Sequence, residues 1–100
     1  MNDLPIACSL TSAELQERRQ TILKQLRSAV FEVRELDDGY SYSFPSGGQM
    51  LAEIGSMIEL ERQCCPFLRF RLTVDANDGP IWLELTGPKG TKDFLKEIFG

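Results

Sequence analysis

Chemistry in this sequence concentrates on two adjacent thiols and one misplaced carboxylate. Residues 61–67 read Glu61-Arg62-Gln63-Cys64-Cys65-Pro66-Phe67. Pro66 ends the helix that carries Glu61, so the thiols stand where a helix stops and a strand begins. Such a junction leaves backbone carbonyls without helical partners. Glu61 lies three and four residues before the cysteines, which places it over the same helical face. That face is otherwise apolar, and a carboxylate there is costly without a partner. Adjacent thiols beside a carboxylate suit a soft ion, whether zinc, mercury or As(III), or a redox-active pair whose protons Glu61 handles. Cys8 is the third thiol. Three thiolates make a trigonal site, or a tetrahedral one with Glu61 or water.

The competing reading is plain packing. Cysteine is among the most buried residue types and behaves as a small hydrophobe, so Cys64 and Cys65 also suit a helix end facing a core, and Cys8 suits an anchor for the N-terminal segment. The negative end of the helix dipole opposes thiolate formation. Arg62, Arg69 and Arg71 reverse that only if they lie close. Neighbouring cysteines bridge each other badly, which favours a shared third partner over a Cys64–Cys65 bond. A working thiol site needs both sulfurs near Glu61 and reachable by solvent.

Composition narrows the remaining chemistry. The 100 residues hold no histidine, which removes Ser-His-Asp and Cys-His catalysis, imidazole ligands and imidazole switches. Any metal must then use sulfur and oxygen, and any proton transfer falls to Glu61. Eleven Lys and Arg against fifteen Asp and Glu give a net charge of -4, which argues against nucleic acid and against a polybasic membrane surface. No apolar run is long enough to span a membrane. The start, Met1 to Cys8, carries Asp3 and Pro5 and lacks a basic n-region, so it does not read as a signal peptide. The expected compartment is the cytoplasm, where thiols stay reduced. No paired-carboxylate site, nucleophile–base pair or cofactor loop stands out, and enzyme activity is left open.

The elements that must position these groups follow from periodicity. Thr11-Ser12-Ala13-Glu14 fits a capping box with Thr11 as N-cap. Leu15, Ile22, Leu26 and Ala29, with Leu23 and Val30 beside them, predict a helix from about Ser12 to Ala29, with Glu14 and Arg18 paired outside. Phe31, Val33, Tyr40, Tyr42 and Phe44 alternate with polar residues around Asp37-Asp38-Gly39, which predicts a hairpin with Gly39 at positive φ. Met50, Ile54, Met57, Ile58, Glu61 and Cys64 or Cys65 predict a second helix from about Gln49 to Cys64. Leu68 to Val74 and Ile81 to Leu85 alternate around Asn77-Asp78-Gly79-Pro80, a second hairpin. Gly87-Pro88-Lys89-Gly90 leads to a last helix, Thr91 to Phe99, with Thr91 as its cap. Its glycines lack phosphate-loop spacing, so no nucleotide is assigned. The order is α-ββ-α-ββ-α, with a faint echo between residues 12–44 and 49–86. We expect a single α+β domain over 1–100, a two-layer sandwich of one four-stranded, mostly antiparallel sheet with helices on one face.

Ala7-Cys8-Ser9-Leu10-Thr11 before a Glu-Arg-Arg helix, Glu61-Arg62 with Cys64-Cys65-Pro66-Phe67-Leu68 and Phe70-Arg71-Leu72, and Gly79-Pro80-Ile81-Trp82-Leu83-Glu84-Leu85-Thr86-Gly87 run through nearly the whole chain. Together they resemble the signature of a group of small uncharacterised bacterial proteins. The resemblance implies no activity. It implies that Cys8, Glu61, Cys64 and Cys65 all belong to one pattern.

The opposite sheet face supports a rival reading from a different class. Arg69, Arg71 and Thr73 should face the same way as Trp82, Glu84 and Thr86, with Arg34 joining them. Arginine beside tryptophan allows cation–π stacking, and both are favoured at interfaces. The alternative to a thiol module is therefore a non-catalytic binding or homodimerisation module with inert cysteines, working through Arg69, Arg71, Trp82 and Glu84. The ordinary case for such a face is a solvated surface with cross-strand Arg–Glu pairs.

Overall fold

The computed structural model describes residues 12–99. Three helices, α1 (Ala13–Ala29), α2 (Gly48–Cys64) and α3 (Thr91–Phe99), alternate with four strands, β1 (Glu32–Leu36), β2 (Gly39–Phe44), β3 (Arg69–Val74) and β4 (Ile81–Thr86). The expected α-ββ-α-ββ-α order and α+β class are the observed ones. The four strands form one antiparallel sheet in the order β1-β2-β4-β3. Each hairpin places its second strand in the centre. The two α-ββ units therefore meet along the β2–β4 seam, from Gly39 opposite Thr86 to Phe44 opposite Ile81.

Period-two alternation does the sorting. Tyr40, Tyr42, Phe44, Ile81, Leu83 and Leu85 are buried and pack with Leu23, Leu26, Ile54, Met57 and Leu95 from the helices. Between them in sequence, Trp82, Glu84 and Thr86 are half-buried on the other face. Three helices cover the two central strands better than the edges. Val33 on β1 and Leu72 and Val74 on β3 are consequently exposed, although alternation alone predicts them inward.

Several local expectations change. The side chain that caps α1 is Ser12, whose Oγ accepts from Leu15 N–H at 3.3 Å; Thr11 lies outside the described residues. The Glu14–Arg18 ion pair does not form. Thr91 is the first residue of α3 rather than its cap, and its buried hydroxyl donates back to Pro88 O at 2.6 Å. Gly39 does not take positive φ. It pairs directly with Leu36, and a Cβ there would stand 1.8 Å from Leu85 O. Glycine is needed for close approach of β2 to β4, not for the turn. In the second hairpin turn Asn77 and Asp78 carry the left-handed conformation, at φ 57° and 56°, which Asn and Asp tolerate better than other side chains.

Gly39→Ala must push two central strands apart. We expect a loss of about 2–3 kcal/mol or failure to fold, in line with overpacking costs in a rigid interior. Urea unfolding followed by circular dichroism checks this, with Gly55→Ala, whose Cβ meets nothing within 4 Å, as the tolerated control.

Candidate functional site: the buried Arg19–Glu61–Cys65 cluster

Helix α2 delivers Ile54, Met57, Leu60, Glu61 and Cys64 to the interior, and the chain leaves the helix at Cys65 with φ -126° and ψ 75°. The φ is that of an extended residue, but ψ falls short of the extended range expected before Pro66, because Cys65 N–H still bonds back to the helix. Cys65 N–H donates to Glu61 O at 2.6 Å, and Cys65 O accepts from Leu68 N–H at 3.1 Å. Those two bonds tie the helix end to the approach to β3. Glu61, Cys64 and Cys65 are each 0% exposed. One ligand atom from each lies within 4.8 Å of the others, so the group could hold a metal ion.

The partner that a buried carboxylate requires is Arg19. Arg19 Nε donates to Glu61 Oε2 at 2.6 Å, and Arg19 Nη2 donates to Oε1 at 3.1 Å. The fork is bidentate, the strongest form of this pairing. The Cys65 thiol donates to the same Oε1 at 3.5 Å. Both carboxylate oxygens are thus occupied, and among the described residues no buried side-chain polar atom lacks a partner. Burial works against the charge on Arg19, but the hydrogen bonds and charge of Glu61 outweigh it and hold the guanidinium above its ordinary pKa. Burial pushes the Cys65 thiol up to about 12, with the Glu61 charge adding to the rise and Arg19 opposing it. Cys65 is protonated at neutral pH and is a poor nucleophile there.

No match is found to any family model, to the curated proteins or to the solved structures.

The structure therefore has to be read on its own geometry. It brings together Glu61, Cys64 and Cys65, as the sequence led us to expect, and it adds Arg19. Cys65 is a free thiol, whereas Cys64 is disulfide-bonded, which amends the expectation of uniformly reduced cysteines. Cys8, the third member of the expected set, lies outside the described residues. The sulfurs are near Glu61 as required, but they are not reachable by solvent. The arginines expected to favour thiolate are not the ones present. Arg62 pairs with Glu59 at 3.8 Å on the surface, and Arg71 pairs with Glu84 at 3.7 Å on the open sheet face.

Arg19 had a signal in the sequence. Leu15, Arg19, Ile22, Leu23 and Leu26 fall on one helical stripe, so each long helix carries a single charge on its apolar face, and the two charges are opposite. On the open face, Arg69, Arg71, Trp82 and Glu84 do share one side of the sheet, with Arg34 stacked 4.2 Å over the Trp82 ring.

Two outcomes follow. Glu61→Gln leaves an unpaired guanidinium in the core and should cost about 3–5 kcal/mol in urea unfolding, whereas Arg19→Met with Glu61→Leu should recover most of that loss. The second concerns alkaline pH. The folded state holds the Cys65 proton up to about pH 12, while the unfolded thiol releases it near its ordinary value of about 8.5. Stability from this group is complete below that ordinary value and is lost as pH rises through the window between the two. Cys65→Ala should flatten the fall in unfolding free energy across that window relative to the wild type.

Proposed function

We propose that the chain is a small thiol module that takes a soft metal ion or a trivalent metalloid on Cys64 and Cys65, with Glu61 as the neighbouring carboxylate. The observation that carries this reading is the convergence of two sulfurs and a carboxylate within 4.8 Å. Cys8 is the further thiol of the proposed set. Binding begins with reduction of the Cys64 disulfide by a dithiol, which adds two electrons and two protons and yields two thiols. The ion then displaces the Cys64 and Cys65 protons and forms two metal–sulfur bonds. A raised thiol pKa suits this order better than redox catalysis, since a high-affinity soft ion displaces a proton that a weak electrophile leaves in place. Entry to a site with no exposed sulfur requires local opening where α2 meets the chain leading to β3.

A second reading has its own support. Arg19 already occupies both Glu61 oxygens, which is the arrangement of a structural ion pair. On this reading the cysteines are inert and the chain works as a binding or assembly module through its sheet.

Native mass spectrometry separates the two. The reduced chain is titrated with Zn²⁺, Hg²⁺ and As(III), alongside a Cys64→Ser, Cys65→Ser variant and the unreduced chain. We expect an adduct of one ion per chain, with loss of thiol protons, in the reduced wild type alone. An unchanged mass in every case sinks the thiol reading and leaves the structural one.

A further inference from the structure

We propose that β3 is a self-complementary edge at which a second copy of this chain pairs antiparallel, about a two-fold axis passing midway between the two Leu72 residues. This inference does not depend on the thiol reading. It starts from the strand order, in which β3 has β4 on one side and, among the described residues, no strand on the other.

The direction of the free backbone groups can be worked out. Asp75 N–H donates to Pro80 O, and Asp75 and Pro80 continue the β3–β4 register that runs from Arg69 opposite Thr86 to Val74 opposite Ile81. Hydrogen-bonded pairs alternate along an antiparallel ladder. Arg69, Arg71, Thr73 and Asp75 therefore turn their backbone groups towards β4, and Phe70, Leu72 and Val74 turn theirs outward. The same three residues place their side chains on the helix-covered face, where Leu72 is 42% and Val74 56% exposed. An edge that is both apolar and unpaired is what natural sheets ordinarily blunt or cover.

The sequence of β3 selects one register. With Leu72 opposite the partner's Leu72, Phe70 meets the partner's Val74, and all three outward residues form hydrogen-bonded pairs, about six bonds in total. Arg69 then stands opposite the partner's Asp75 in a non-hydrogen-bonded pair, the closer kind. Neither Arg69 nor Asp75 has an ion pair within the described residues, so both charges are available. A slip of two residues one way puts Arg71 opposite the partner's Arg71. The other way leaves Phe70 without a strand partner. A slip of one residue turns every side chain to the wrong face. The favoured register joins two four-stranded sheets into one and adds two salt bridges by symmetry. A contact confined to one edge is at the small end of specific interfaces, so the expected dimer is a micromolar one.

Sedimentation velocity on the full chain under reducing conditions, from about 5 to about 500 µM, spans the range in which such an interface forms. The wild type should pass from monomer to dimer. Arg69→Asp and Asp75→Arg should each weaken the dimer at least about tenfold, because each places like charges opposite one another twice. The double variant, Arg69→Asp with Asp75→Arg, should restore it. Circular dichroism confirms that the variants fold. A wild type that stays monomeric at the top concentration overturns the proposal. So does a dimer indifferent to the single reversals, or one that the double reversal fails to rescue.

Discussion

A guanidinium and a carboxylate, brought together in a space with no water to share them, form the constraint around which this molecule is arranged. Arg19 comes from the middle of α1 and Glu61 from the last turn of α2, and they are 42 residues apart. Neither charge is tolerable in the interior alone. The axial placement of the two long helices is therefore fixed to within the reach of one bidentate fork. The Cys65 thiol joins the same carboxylate, so the end of α2 and the approach to β3 are set by that pair as well.

The sheet answers to a different requirement. Its centre is saturated: β2 is buried along its whole length, and the close approach of β4 at Gly39 leaves no room for a side chain. Its edges are not. On β1, charged neighbours are engaged within the chain, with Arg34 bonded to Glu32 at 2.8 Å and stacked on Trp82, and Lys92 bonded to Glu35. At the two ends of β3, Arg69 and Asp75 have no ion pair among the described residues and lie beside exposed Leu72 and Val74. The two edges differ in how their charges are used, and that difference singles out β3.

The alternation of Tyr40, Tyr42 and Phe44 and of Ile81, Leu83 and Leu85 made the strands legible, and the stripe from Met50 to Cys64 made α2 legible to within a residue. Glu61 was conspicuous because it broke that stripe. Arg19 was not, because reading the first helix by its apolar residues passes over a charge at the position between Leu15 and Leu23. A search for opposite charges on two buried stripes would have found the pair. The exposure of Leu72 and Val74 was out of reach for a different reason. Alternation tells which face a residue takes, but how far the helices extend over that face depends on how three cylinders pack across four strands.

The strand order carries one more consequence. The two α-ββ units, residues 13–44 and 48–86, are joined by long-range links that include the β2–β4 seam and the Arg19–Glu61 fork. The fork closes the chain from Arg19 to Glu61 and the seam closes it from Phe44 to Ile81, so the two loops overlap from Phe44 to Glu61. Whichever link forms first already orders the shared stretch, so the second has a shorter length of chain left to close and costs less loop entropy than it would alone. The hydrogen-bonded seam and the buried ion pair therefore reinforce each other as a single cooperative unit, although they share no atom.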